Sequence, residues 1–147
     1  MGGYEKQGQT HRLYEREGDV RSSTGFVIGD ICYILGDGLY HNFWGDECGY
    51  EDGIFQTVEG GLRFGVGSTA YGDGLYYDDA GREYPVDAGV IGIVPLELAG
   101  KDAFQTCCTV VYCTGDAHFR HEGGVFDIGL PTGEKIHINT RDEDDGH

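Results

Sequence analysis

Short apolar runs separated by glycine-rich turns are the main pattern along this chain. Val90–Val94 is apolar throughout apart from one glycine, which is typical of a strand in the middle of a sheet. Leu62–Val66 alternates large apolar residues with an arginine and a glycine, which predicts a strand with one face toward solvent. Phe26–Ile28, Ile31–Leu35 and Thr109–Tyr112 are rich in β-branched and aromatic residues and are also predicted as strands.

Turn residues join several of these runs into predicted hairpins. Glu59–Gly61 is a three-residue connection between Ile54–Val58 and the run that begins at Leu62. Gly129–Gly133, which contains a proline and two glycines, connects the last two runs of the chain, Val125–Ile128 and Lys135–Asn139.

Helix signals are confined to two short segments, Leu39–Trp44 and Pro95–Phe104, and Gly100 interrupts the second one. Many short strands with frequent turns are typical of a barrel or a sandwich. The 27 glycines suit the tight corners and bulges of such folds. We therefore predict a mainly β fold, a single-domain barrel or sandwich with one or two short helices.

The distribution of charge suggests how the chain is organised. Residues 1–21 carry four acids and four bases and few large apolar side chains, which predicts a mobile N-terminal arm. Residues 22–140 form the predicted β-rich domain. Residues 141–147 are dominated by acids, whose mutual repulsion predicts a disordered tail.

The net charge excludes several classes of partner. The 147 residues include 26 acids against 10 Lys and Arg, which gives a net charge of −16. Binding to nucleic acid depends on basic side chains that neutralise phosphates, so we expect no direct contact with nucleic acid. Anionic membrane surfaces are disfavoured for the same reason, and no apolar run is long enough to span a bilayer. Cationic or uncharged partners are left, and we expect a protein with a basic surface.

Cysteine usage predicts a reducing compartment. The five cysteines are an odd number, whereas a disulfide framework in a short secreted chain usually contains an even number. The first residues lack the apolar stretch of a signal peptide. We therefore expect free thiols and a cytoplasmic location.

A repeated Gly-Asp dipeptide is the clearest internal regularity. It occurs six times and twice extends to Gly-Asp-Gly-Leu-Tyr, at Gly36–Tyr40 and at Gly72–Tyr76. Such sequences are typical of tight turns. The alternative is that their carboxylates bind a hard divalent cation, although no stretch has the EF-hand spacing. We predict no cofactor, with a divalent cation as the alternative.

Tyrosines cluster around the same glycines. They lie at Tyr40–Tyr50 and Tyr71–Tyr84, beside Phe43 and Trp44. Two interpretations are open: a binding surface that uses their rigid contact area, or a small β core with the hydroxyl groups at its rim.

Three segments resemble a family of small uncharacterised proteins of bacteria and their phages. They are Gly29–Tyr33, Gly72–Tyr76 and Val86–Glu97, in the order Gly-Asp-x-Cys-Tyr, Gly-Asp-Gly-x-Tyr, Asp-Ala-Gly-x-Ile-Gly-Ile-Val-Pro. The resemblance covers about residues 25–97 and implies a cytoplasmic β-rich domain, but it implies no activity. The candidate ligand-binding residues are those that lie within the matched motifs: Asp30, Asp73, Asp87, Tyr33 and Tyr76.

Catalytic and zinc motifs are absent from the sequence. The chain contains no Gly-x-Ser-x-Gly, His-Glu-x-x-His or phosphate-binding Gly-x4-Gly-Lys-Ser/Thr. Cys113, His118 and His121 are an alternative set of zinc ligands, but the usual Cys-x2-Cys pair is missing. No catalytic residue is assigned, and a non-enzymatic role is favoured.

The leading functional hypothesis is an acidic protein-interaction module of phage origin that docks on a basic surface of a host protein. Charge of this size accelerates such an encounter and makes it sensitive to salt. The first alternative is a small hydrolase that uses the carboxylates of Asp30, Asp73 and Asp87, with or without a divalent cation. The second alternative is a protein that sequesters a small signalling molecule in an aromatic pocket.

Overall fold

Twelve strands and two short helical turns build the part of the chain that the structure, a computed structural model, describes. The described residues are 10–12, 17–36, 40–41, 44, 51–57, 61–100, 103 and 108–141. The helical turns are α1 (Ile31–Ile34) and a 3-10 turn at Leu96–Leu98. The strands are β1 (Thr10–Arg12), β2 (Glu17–Ser22), β3 (Phe26–Gly29), β4 (Gly53–Thr57), β5 (Arg63–Ser68), β6 (Gly74–Tyr77), β7 (Glu83–Val86), β8 (Val90–Pro95), β9 (Thr109–Val111), β10 (Gly115–Glu122), β11 (Val125–Gly129) and β12 (Lys135–Asn139).

The strands form three antiparallel sheets that do not close into a barrel. One sheet has six strands in the order β1-β4-β5-β8-β3-β9, the second has four in the order β12-β11-β10-β2, and β6 and β7 form a two-stranded β-ribbon. This confirms the predicted mainly β fold with short helices. The predicted hairpins β4–β5 and β11–β12 are present, and β8 lies inside the six-stranded sheet as expected.

Two predicted elements differ from the structure. Ile31–Leu35 is predicted as a strand, but Ile31–Ile34 is a helical turn because the side chain of Asp30 accepts a hydrogen bond from the Cys32 N–H and caps the turn. Among the residues described over the predicted helix Pro95–Phe104, only Leu96–Leu98 and Ala103 have 3-10 conformation, and Ala99 and Gly100 between them are not helical.

The N-terminal segment takes part in both large sheets where it is described. Thr10–Arg12 pairs with β4, and Glu17–Ser22 pairs with β10. The other residues of the predicted arm, and residues 142–147 of the predicted tail, lie outside the described residues. The domain limits therefore stay a prediction. No helix among the described residues is long and apolar enough to cross a membrane.

The core has two parts, one on each face of the six-stranded sheet. Along β8, Ile91 and Ile93 face the four-stranded sheet, whereas Val90 and Val94 face the opposite side. The first part fills the space between the two large sheets, which therefore pack as a sandwich. The second part is covered by α1, together with side chains such as the 2 % exposed Trp44.

Glycines on β5 let the two sheets of the sandwich approach closely. The prediction that one face of this strand lies toward solvent is wrong, since β5 is buried on both faces from Phe64 to Gly67. A Cβ added at Gly65 would lie 2.6 Å from the ring of Phe119 on β10, and one added at Gly67 would meet the ring of His121. The side of β5 without side chains therefore receives aromatic rings from the opposite sheet.

We predict that Gly65→Ala destabilises the protein by about 1–3 kcal/mol, because the fully buried Phe119 ring cannot move away without displacing its neighbours. Urea unfolding measures the change. Gly129→Ala is the matched control, since Gly129 is also in a strand but has no atom within 4 Å of the added Cβ. Equal stability of the two variants would show that the sheets have room at Gly65.

Candidate functional site

The buried carboxylate of Asp30 joins two distant parts of the chain. Asp30 is 2 % exposed. Its Oδ1 accepts a hydrogen bond from the Cys32 N–H at 2.9 Å, and its Oδ2 accepts from the N–H groups of Asp87 and Ala88 at 2.5 and 2.9 Å. The side chain therefore fixes the start of α1 to the end of β7. Both of its oxygens are engaged in this structural role.

The negative charges of the three predicted aspartates all act on the thiol of Cys32. Burial, followed by the negative charges of Asp30, Asp87 and Asp73, raises the pKa of Cys32 to about 12. The thiol is therefore protonated at neutral pH and is a poor nucleophile. Among the described residues, no group of three or more His, Cys, Asp or Glu side chains is arranged to hold a metal ion.

The two predicted tyrosines are structural as well. Tyr76 is 8 % exposed, and its hydroxyl group donates a hydrogen bond to the Gly72 carbonyl at 2.9 Å, which closes the turn before β6. Tyr33 is half-buried against the second part of the core. Tyr76 is therefore withheld from solvent, whereas Tyr33 keeps part of its surface exposed.

The alternative zinc ligands do not converge. His118 and His121 are three residues apart on β10 and therefore lie on opposite faces of the sheet, His118 exposed and His121 buried. Cys113 packs against the core between the sheets. The geometry of these three side chains does not suit a shared metal ion.

A second buried carboxylate, Asp78, fixes the turn between β6 and β7. Its Oδ1 accepts hydrogen bonds from the N–H groups of Ala80 and Arg82, and its Oδ2 accepts from the Arg82 Nε and the Tyr84 hydroxyl at 2.8 Å. The Tyr84 hydroxyl also lies 2.8 Å from the hydroxyl of Thr109 on β9. The sequence indicates only an ordinary turn here, because the burial of Asp78 depends on residues that are distant in sequence.

The pKa of Asp78 follows from these contacts. Burial alone would raise it, but the hydrogen bonds from the Arg82 N–H, the Tyr84 hydroxyl and the Arg82 guanidinium outweigh burial and lower it. Asp78 is therefore ionised in the folded protein at all but strongly acidic pH. Its negative charge balances the positive charge of Arg82, and the Asp78 side chain is only 1 % exposed.

Further contacts attach this turn to the four-stranded sheet. Asp78 forms an isolated β-bridge with Ile138, and the Asp79 N–H donates to the His137 carbonyl at 3.1 Å. Arg82 also forms a salt bridge with Glu134 at 2.8 Å. The β-ribbon is thus attached at its turn through Asp78 and at its opposite end through Asp30.

The outward side of the β-ribbon exposes apolar side chains. Leu75 and Tyr77 alternate with the buried Tyr76 and are 47 % and 40 % exposed. Opposite them on β7 lie the half-buried Pro85 and the exposed Glu83. We call Leu75, Tyr77, Glu83 and Pro85 the ribbon face; Asp73 and Asp87 flank its end.

Among the residues that the structure describes, the carboxylates beside the ribbon face form no salt bridge. Residues 71–89 contain five acids and one base, Arg82, which gives a net charge of −4. None of the salt bridges within the described part of the chain involves Asp73, Glu83 or Asp87. Apolar contact area and unpaired negative charge therefore occur together here.

On the outer face of the four-stranded sheet, acidic and basic side chains form pairs. There Arg21 pairs with Asp116 at 2.8 Å, and Arg120 lies 3.7 Å from Glu17 and 3.4 Å from Glu122. His118 contacts Glu17 and Asp19 at 2.8 Å each, and His137 contacts Asp127 at 2.5 Å. We call this surface the charge-paired face. Its charges are largely matched within the protein itself.

We predict that Asp78→Asn destabilises the protein by about 2–4 kcal/mol at pH 7, because the substitution leaves Arg82 without its buried counter-charge. The pKa of Asp78 is lowered, so its contribution is present above its ordinary value of 3.8 and is lost as the pH falls below that value. Urea unfolding should therefore show a difference between wild type and variant that narrows in acid. Asp79→Asn is the control, since it removes the same charge from the exposed neighbouring side chain; an equal loss there would contradict the role of Asp78.

We predict that the charge-paired face makes stability depend on pH near neutrality. Hydrogen bonds to the carboxylates of Asp19 and Glu17 raise the pKa of His118, and a hydrogen bond to the carboxylate of Asp127 raises that of His137, above the ordinary value of 6.5. Their contribution is complete below pH 6.5 and is lost as the pH rises through the raised pKa values. Because both side chains are partly exposed, we expect a total of less than about 1 kcal/mol. Unfolding of wild type and of the His118→Gln/His137→Gln variant at several pH values measures it, and a wild-type advantage that grows with pH would contradict the assignment.

Comparison with known proteins adds no relative to this description. No protein-family model, curated protein or solved structure matches the chain. The resemblance of the Gly-Asp motifs to small bacterial and phage proteins therefore stays a prediction. What the β-ribbon does has to follow from its own exposure, contacts and charge.

Proposed function

We propose that this protein is an acidic interaction module whose ribbon face docks on a basic surface of another protein. The observation that carries the proposal is the exposure of Leu75 and Tyr77 beside carboxylates that form no salt bridge within the described part of the chain. Exposed apolar side chains bordered by polar groups are typical of interaction sites. Tyrosine in particular supplies large contact area with little loss of side-chain entropy.

Charge decides which class of partner is favoured. The ribbon segment has a net charge of −4, and the whole chain has a net charge of −16. A cationic surface is therefore attracted both at long range and at contact. The charge-paired face attracts a cationic surface less strongly, since docking there would first have to break salt bridges such as Arg21–Asp116. The ribbon face needs no such rearrangement.

Rigid support favours the same side of the molecule. Asp30 and Asp78 hold both ends of the β-ribbon through hydrogen bonds that are buried or partly buried. A surface that is already ordered loses less entropy on binding than a mobile loop does. The two buried carboxylates thus keep the ribbon face ordered before a partner binds.

The alternative functions gain less support from these residues. A carboxylate-dependent hydrolase would need a reactive carboxylate, whereas the Asp30 carboxylate already accepts three backbone hydrogen bonds. Sequestration of a small molecule would need an aromatic pocket. The grooves identified among the described residues are lined by small, polar and charged side chains, not by aromatic rings.

The proposal is tested by selecting short random peptides on the immobilised protein. We expect the selected peptides to be rich in Lys and Arg with interspersed apolar residues. Their affinity should fall at least about tenfold for the Leu75→Ser/Tyr77→Ser variant, and their association rate should fall steeply between about 0.05 and 0.5 M salt.

A matched pair of variants separates local charge from total charge. Asp73→Asn/Glu83→Gln/Asp87→Asn and Asp116→Asn/Glu122→Gln/Asp127→Asn each remove three negative charges. We expect only the first variant to slow association. Equal effects of the two variants, or selected peptides without basic residues, would sink the proposal.

A further inference from the structure

The β-ribbon and the six-stranded sheet are separated by a groove. On its turn side the ribbon is attached to β12 through the Asp78–Ile138 bridge, but no backbone pairing connects β7 to β9 in the described part of the chain. The groove has a volume of about 540 Å³. Its two walls are the segment Gly81–Glu83 and the segment Cys108–Val110.

The groove has the dimensions of a short extended peptide. Each wall is three residues long, which corresponds to about 10 Å of strand. The hydrogen bond between Asp87 and Asp30 brings the far end of β7 close to the end of β3. The buried Tyr84–Thr109 hydroxyl contact joins β7, just after the first wall, to the second wall. The lining residues of the first wall stop at Glu83, so the groove opens on the Arg82 side of this contact.

The wall formed by β9 is a strand edge of the kind that accepts another strand. β9 lies at the end of the six-stranded sheet and pairs with β3 alone among the described strands. Its sequence, Thr109–Val111, is β-branched throughout and has no Pro, Lys or other charged residue of the kind that protects edges from pairing. The opposite wall differs, since β7 contains Pro85, which cannot donate a backbone hydrogen bond.

The charges around the groove select the character of an incoming segment. Arg82 lies at the open end, but its guanidinium is already bonded to Asp78 and Glu134. Glu83 belongs both to the groove wall and to the ribbon face, and it has no salt-bridge partner among the described residues. A second copy of this chain would bring another −16 to the contact. A cationic segment matches the groove better.

We propose that β9 binds an extended cationic segment of the partner by β-strand addition, with the segment lying in the groove between β9 and the β-ribbon. This inference rests on the proposed function and specifies its partner. Backbone hydrogen bonds to β9 supply the affinity. Side chains of the segment alternate in direction, so that one set of basic residues faces Glu83 and the ribbon face.

The test compares two peptides of equal charge. The probes are acetyl-Lys-Val-Lys-Val-Lys-Val-amide and the same peptide with proline in place of the central valine, which can be attracted by charge but pairs poorly in a sheet. NMR titration measures both affinities, and hydrogen exchange reports on the backbone N–H groups of Thr109–Val111. We expect the valine peptide to bind about tenfold more tightly and to slow exchange in β9, with no such protection from the proline peptide.

The other outcomes separate this inference from the proposed function. Equal binding of the two peptides, with shifts confined to the ribbon face, would overturn strand addition and leave the docking proposal standing. Failure of both peptides to bind would also overturn strand addition, while the peptide selection described above decides the docking proposal. In the free protein at low concentration, protection of the β9 N–H groups that point away from β3 would mean that the chain covers its own edge. Protection that grows with protein concentration would assign the edge to a second copy.

Discussion

Two buried carboxylates determine where the β-ribbon lies. A two-stranded ribbon is at best marginally stable by itself, so its position depends on what holds its ends. Asp30 accepts hydrogen bonds from the N–H groups just after β7. Asp78 fixes the turn between β6 and β7 by accepting hydrogen bonds from Arg82 and Tyr84. The exposed ribbon face and the groove beside β9 both follow from these two attachments.

The sequence predicted the parts of the fold that depend on neighbouring residues. The hairpins β4–β5 and β11–β12 and the central position of β8 could be derived from apolar runs and turn residues. α1 was missed because Ile31–Leu35 has strong strand propensity, although Asp30 before it is a typical N-cap. The local cap overrides that propensity over a single turn.

The features that were missed depend on contacts between distant residues. The glycines of β5 are buried because Phe119 and His121 lie over them, and no pattern within β5 reveals this. The sequence at Asp78 indicates an ordinary turn, but the burial of this side chain requires packing of the turn beside Ile138 and Thr109, which are distant in the chain. For the candidate site, the motif order pointed to Asp30, Asp73 and Asp87, and the charges of all three act on the Cys32 thiol. Their roles could not be predicted, since burial divides them into one structural and two exposed carboxylates.

Gly65 and Phe119 are in close contact across the two sheets of the sandwich, so the side-chain size at one position limits the side-chain size at the other. The space that β5 leaves empty is the space that the ring on β10 fills, so the two positions share one fixed volume. A homologous chain with a larger residue at position 65 would need a smaller one at position 119. These two sites should therefore covary in evolution, although they lie on different sheets and far apart in the chain.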